Sequence, residues 1–411
     1  MPANADQPIY MDNHATTRVD PRVVAAMLPY FDEKYGNSHS VHVFGHEARD
    51  AIDAARQSIA AAIGAEAKEI VFTSGATESN NLAIRGVAER ERRRGNHLIS
   101  VTTEHKAVLD PLARLGRRGY EVTLLDVEQH ASPRAGWLDP QKVAAALRDD
   151  TCLVSVMLAN NEIGIIQPLD EIAAICRQRG VLLHCDATQA VGKIPVEVAA
   201  LGVDLMSFTA HKIYGPKGIG GLYIRRRDPI VRLEPQIVGG GQQEGRRSGT
   251  LNVPGIVGFA AALRLCGEEL PTEIERLAAL RDSLAATLFD QLDDVRLCGP
   301  DLKQCGLHGL PLRLPGNLTI SFGNVDGEAL LLAMGNLAVS SGAACTSTDP
   351  GPSHVLRALG WSDDAARSSL RFGLGRFNPA AEVDRAVERV VHAVGQLRKL
   401  TSRSMVAQTG P

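Results

Sequence analysis

The sequence predicts an α/β protein: a large domain built on a doubly wound, mostly parallel sheet, joined to a smaller α+β domain. Three observations predict it. Short β-rich runs, apolar on both faces, alternate with helical patterns through the first part of the chain, as a buried parallel sheet requires. From about Val253 the alternation gives way to long helical stretches and a few separate strands. The 411 residues exceed the ~250–300 at which a single hydrophobic core stops growing.

In chain order, the runs at Glu69–Phe72, His97–Val101, Val122–Leu125, Cys152–Leu158, Val181–Cys185, Asp204–Phe208 and Gly221–Ile224 read as strands, each bounded by Gly, Pro or polar residues. Between them lie helices such as Ala48–Ile63, whose Ile52, Ala55, Ile59 and Ile63 recur at spacings of three and four. This alternation predicts the large domain over residues 15–262. Residues 1–14 and 263–400 are assigned to the smaller domain. There a helix runs from Leu270 to Leu292 with Pro271 as its start, Val295–Cys298 and Leu318–Phe322 are strands, and a last helix runs from Pro379 to about Leu400. Gly299–Gly316 reads as a loop and residues 401–411 as a frayed tail.

Composition excludes several classes. Hydrophobic residues make up 44% and charged residues 22%, ordinary for a globular protein. A net charge of -3 gives no global electrostatic case for nucleic acid or a membrane surface. The arginine runs at 90–94 and 225–227 are local and read as solvated element ends. No apolar run approaches the ~20 residues that span a bilayer, and the first residues lack the basic and apolar regions of a secretory signal. Seven cysteines, scattered and without a CxxC pair, predict neither a disulfide framework nor a metal site, and point to a reducing, cytoplasmic compartment.

The chemistry concentrates in a few segments. In Thr209–Gly218, Lys212 follows an apolar run and precedes a Gly/Pro turn, where a partly desolvated lysine can become a neutral nucleophile toward a carbonyl carbon. A Schiff-base lysine of this kind usually serves pyridoxal phosphate. Asp186 closes the run Val181–Cys185, where a carboxylate points into the crevice at the carboxyl ends of the strands and can keep a pyridine nitrogen protonated. The strand Asp204–Phe208 intervenes between Asp186 and Lys212, so the two groups come from separate strand ends and can approach opposite ends of one ring. Gly75, Ala76 and Thr77 open a helix after a strand, as a phosphate cradle does, although Thr at a helix start is often only a cap. His105 follows another strand and could stack on a flat ring or move protons. Asn161 follows a third and could reach a phenolic oxygen or a substrate carboxylate. Cys345 lies among small residues and turn formers, which predicts an exposed, mobile loop carrying an accessible thiol. Arg371, on a strand of the second domain, suits a carboxylate.

These segments resemble the cysteine desulfurases, a branch of the class V aminotransferase-like pyridoxal phosphate enzymes with fold type I. The resemblance runs from Tyr10–Thr17 to Arg371–Phe377 and is carried by Thr73–Asn81, Asn160–Gly164, Asp186–Gln189, His211–Gly218 and Arg247–Thr250. It implies that Lys212 carries pyridoxal 5'-phosphate, Asp186 pairs with the ring nitrogen, Gln189 bonds the phenolic oxygen and His105 stacks on the ring. It further implies that Ala76, Thr77, Thr209 and His211 hold the phosphate, joined by Thr250 from the other subunit of a homodimer. Asn161 would lie near the substrate and Arg371 would clamp its carboxylate. Cys345, with the longer loop that leads to Pro352–Gly360, resembles the housekeeping group. The tail Thr401–Pro411 lacks the ending that relatives use to dock an iron–sulfur scaffold.

The expectation is therefore removal of sulfur from L-cysteine, giving L-alanine and a persulfide on Cys345. The sulfur then passes to an acceptor protein, an iron–sulfur scaffold or a sulfurtransferase. A selenocysteine lyase or an aminotransferase-like lyase on the same fold is the nearest alternative, and the second of these has no need of Cys345. A non-catalytic assembly partner would have lost Lys212 or Cys345, and both are present.

Overall fold

The computed structural model describes residues 7–306, 309, 311–341 and 351–408, with side chains described to residue 400. Seven strands form the central sheet in the spatial order Ile70–Thr73, Gly220–Ile224, Leu205–Thr209, Leu182–Asp186, Thr151–Ser155, His97–Val101, Glu121–Leu125. The last five pair in parallel, and Gly220–Ile224 pairs antiparallel with both of its neighbours. Six of the strands are buried along their whole length, which is why they read as unbroken apolar runs. Only the edge strand Glu121–Leu125 is largely open.

Successive residues of a strand face opposite sides, so one sheet feeds two cores. Leu153 and Leu182 join the helices Ala76–Glu91 and Lys106–Gly116 on one face. Val154 and Leu183 join the helix Val43–Ala62 on the other. A separate four-stranded antiparallel sheet has the order Ser340–Ser341, Ser369–Gly373, Asn317–Phe322, Val295–Leu297. Its core contains Ile320, Phe372 and Val390, together with Ile9 and Met11 from the start of the chain.

Several boundaries differ from the sequence expectation, and the helix expected at Ala48–Ile63 spans Val43–Ala62. Pro271 does not begin a helix: it lies inside one helix running Val253–Gln291. A proline there removes one backbone hydrogen bond. The helix persists because its two halves are anchored separately, Ile256, Phe259 and Leu263 in the large core and Leu277, Leu284 and Leu288 in the small one. The strand expected to reach Leu158 ends at Ser155, although Val156 and Leu158 still donate to the carbonyls of His184 and Asp186. The last helix, Ala380–Gln408, continues through most of the expected tail.

Candidate active site

The loops at the carboxyl ends of the parallel strands enclose a cavity of about 760 Å³. Parallel strands direct their carboxyl-end loops to one edge of the sheet, and this cavity occupies that edge. Lys212, Asp186, His105, Ala76, Thr77, Asn161, Gln189, His211 and Arg371 all line it. Residues from 76 to 371 in the sequence are thereby brought together.

Asp186 is the last residue of the strand Leu182–Asp186 and is almost fully buried. Its Oδ1 accepts from the Thr188 amide at 2.9 Å and its Oδ2 from Asn80 Nδ2 at 2.7 Å. The carboxylate is therefore fixed from two sides. Glu104 lies nearby and is fully buried, its Oε1 accepting from the Met157 amide. Burial first, and the Asp186 charge second, hold its carboxyl well above the usual carboxylate range.

Lys212 ends the short turn Ala210–Lys212 that follows the strand Leu205–Thr209. Its Nζ donates to the main-chain oxygens of His14 and Ala15. Burial, reinforced by the Arg371 cation, lowers its pKa to about 8, while Asp12 and Asp186 pull the other way. His105 caps the helix Lys106–Gly116, its Nδ1 accepting from the Ala107 amide at 3.0 Å. A neutral ring therefore carries its proton on Nε2. Desolvation keeps its pKa below the ordinary value against the pull of Asp186. His211 is depressed to about 4, by burial first and then by Lys212 and Lys217.

The helix Ala76–Glu91 begins at the cavity, with Gly75 at its N-cap. Gly75 has φ 152°, a region that favours glycine. A Cβ on Gly220 would come 2.7 Å from the Gly75 backbone, so the strand and the helix entry can approach this closely only with glycine. The first N–H groups of such a helix have no intrahelical acceptor and face the cavity end with its positive dipole.

Two expected residues are not brought to the cavity. Thr209 is buried beside it, with its hydroxyl donating to the Ile219 carbonyl at 3.1 Å. Thr250 is exposed outside it. Arg371 lies on the strand Ser369–Gly373, donating to Asn161 O at 2.9 Å, Asp12 Oδ1 at 2.9 Å and Ser340 Oγ at 2.8 Å. Its Nε has no partner among the described residues. Cys345 lies outside the described residues. Ser341 and Ser353, on either side of its segment, both line the cavity.

The sequence reading missed Asp12, Asn80, Glu104 and Lys193. Asn80 stood within the segment Thr73–Asn81, and Glu104 immediately precedes His105. Lys193 follows Gln189 in a turn and carries no local signal. His14 is buried against Gln189 at the cavity wall.

The residues present fit pyridoxal phosphate. A lysine with a lowered pKa, a doubly anchored carboxylate and a glycine-lined helix start suit the carbonyl carbon, ring nitrogen and phosphate of that group. Thr188 Oγ1, at the same wall, is buried without a partner among the described residues.

The family model described as Aminotransferase class-V matches residues 9–386. The chain is 54% identical to the cysteine desulfurase IscS of Anaeromyxobacter dehalogenans, over 96% of this chain and 94% of that one. It is 51% identical to the cysteine desulfurase IscS of Escherichia coli O139:H28, with the same coverage. Among solved structures it matches a NifS-like protein at TM-score 0.86 and 36% identity, covering 95% of this chain and all of that one. SspA in complex with cysteine matches at TM-score 0.76 and 33% identity, covering 89% and 98%.

Proposed function

Because the chain belongs to the class-V aminotransferase family and is a pyridoxal phosphate-dependent cysteine desulfurase, we propose that Lys212, Asp186 and Cys345 divide its chemistry among them. The observation that carries this reading is the convergence of Lys212 and Asp186, from separate strand ends, on one cavity. When bound, the cofactor supplies an electron sink for charge developing on the substrate's α-carbon.

The chain's own residues do the rest. Asp186, held by Asn80 and Thr188, keeps a fixed negative charge for a protonated ring nitrogen. Gln189 would hold the phenolic oxygen and His105 would lie against the ring, both from the cavity wall. The helix start at Ala76 and Thr77, with His211 at the same cavity, would hold the phosphate. Thr209, buried behind Gly75, supports that cradle from beneath. With a pKa of about 8, roughly a tenth of Lys212 is a free amine at pH 7, and Nζ can then take a proton from the α-carbon. Asn161 and Arg371, linked by a hydrogen bond, offer amide and guanidinium groups to the substrate carboxylate. The Cys345 thiolate attacks the sulfur of L-cysteine. The substrate's Cβ–S bond breaks, an S–S bond forms on Cys345, and L-alanine leaves.

The persulfide sulfur goes to an acceptor protein, an iron–sulfur scaffold or a sulfurtransferase. A homodimer is supported by the exposed apolar side chains Leu28, Phe31, Tyr35, Val41 and Val43, which are clustered in sequence. It is further supported by Thr250, exposed outside its own cavity. A cytoplasmic setting is supported by six described cysteines that are all unpaired. Among the described residues no helix is long and apolar enough to cross a membrane.

The test is to add L-cysteine to the purified yellow protein. Formation of alanine with a change in the visible spectrum is expected. A colourless protein, or one whose spectrum and alanine yield ignore cysteine, contradicts the reading.

A further inference from the structure

Lys193 lies behind the cavity wall, and the mechanism above does not use it. Its Nζ is 2.6 Å from Gln189 Oε1 and 3.4 Å from His14 Nδ1. The His14 ring is buried, with Nε2 3.3 Å from the Gly316 carbonyl oxygen and Nδ1 3.1 Å from Gln189 Oε1. Both oxygens only accept, and the shorter contact is at Nδ1, so Nδ1–H donates to Gln189 Oε1 beside Lys193. Lys193 donates to Gln189 Oε1 at 2.6 Å, and it does so whether it is an ammonium or an amine.

This arrangement decides the orientation of the Gln189 amide. The oxygen end is taken by Lys193, and the nitrogen end donates to the His14 main-chain oxygen at 2.9 Å, the same oxygen to which Lys212 Nζ donates. We propose that Lys193 is a positioning residue for the cofactor pocket, acting through Gln189: it holds Oε1 so that Nε2–H faces the wall shared with Lys212 and serves as the donor to the cofactor's phenolic oxygen. The inference rests on the pyridoxal reading above and adds to it a residue that does not itself line the cavity.

The electrostatic setting agrees with this role. Burial, then the Lys212 and Arg371 cations, push the Lys193 pKa well below the ordinary lysine value, with Cys266 and Glu273 opposing. Burial, Lys193, Arg371 and Lys212 do the same to His14, against the Gln189 hydrogen bond. A donor anchored at its other end is a stronger donor, because hydrogen bonds in a chain polarise one another. A strong donor draws charge from the phenolic oxygen and loosens the neighbouring Schiff-base proton. Removing Lys193 weakens the donor, and it also removes any positive charge held there. Both changes bind that proton more tightly, so both move its titration upward.

The experiment is a pH titration of the visible band of the loaded protein for wild type, Lys193→Met and Lys193→Gln, with thermal midpoints measured alongside. The band's midpoint is expected to rise by about one pH unit in K193M, and by less in K193Q, whose amide can still donate to Oε1. If K193M does not fold, the upward shift in K193Q carries the test. A thermal midpoint that falls while the band's midpoint stays at the wild-type value in both variants marks a merely structural lysine and overturns the proposal. A wild-type protein with no visible band overturns the cofactor reading itself, so the two failures are distinct.

Discussion

Lys212 shows how one residue's environment sets its chemistry. An ordinary lysine titrates near 10.5, and burial with Arg371 lowers this one to about 8. The neutral amine is the reactive form, so lowering the pKa raises the reactive fraction at any pH below about 10. Apoprotein mixed with pyridoxal phosphate should therefore form its visible band at a rate that rises with pH and reaches half its maximum near pH 8. A half-maximum near 10 would show an unperturbed lysine, and Lys212→Ala should give no such band at any pH. Lys212 and Asp186 were legible because a charged residue at the end of an apolar run is conspicuous. His14 and Lys193 were not. Their importance comes from a meeting across 179 positions of sequence, and nothing local to either residue announces it.

At the scale of elements, the sheet positions the site through its parallel strands, and these were legible because both faces are buried. The register and the close approaches were not. Gly220 pairs with both Thr73 and Thr209, and no Cβ fits between it and the Gly75 backbone. Gly220→Ala must push the helix start at Ala76 outward or strain the strand, at a cost of about 1–3 kcal/mol. The denaturation midpoint should fall and pyridoxal phosphate should bind more weakly. Unchanged values of both would show that the cradle does not depend on this contact. Pro271 makes the converse point: local propensity marks it as a helix start, but anchoring on both sides carries the helix through it. Such anchoring is a tertiary fact that a single-sequence pattern does not contain.

At the scale of the molecule, two cores share one long helix, and the cavity draws on both sheets. Asp186 and Lys212 come from the central sheet, Arg371 from the small one, and Asp12 from the chain start joins Arg371. The cluster of exposed apolar side chains between Leu28 and Val43 predicts a sedimentation mass of two chains, and a single-chain mass at micromolar concentration would contradict the homodimer. The division of labour between the fixed pocket and the cysteine segment leads to the most direct measurement. Wild-type protein and Cys345→Ser, both loaded with pyridoxal phosphate, are given L-cysteine, and alanine is measured together with the mass of the Cys345 peptide. The account predicts alanine and one added sulfur atom on Cys345 in the wild type, and neither product in C345S despite an unchanged visible band. Alanine formation by C345S at the wild-type rate would contradict it.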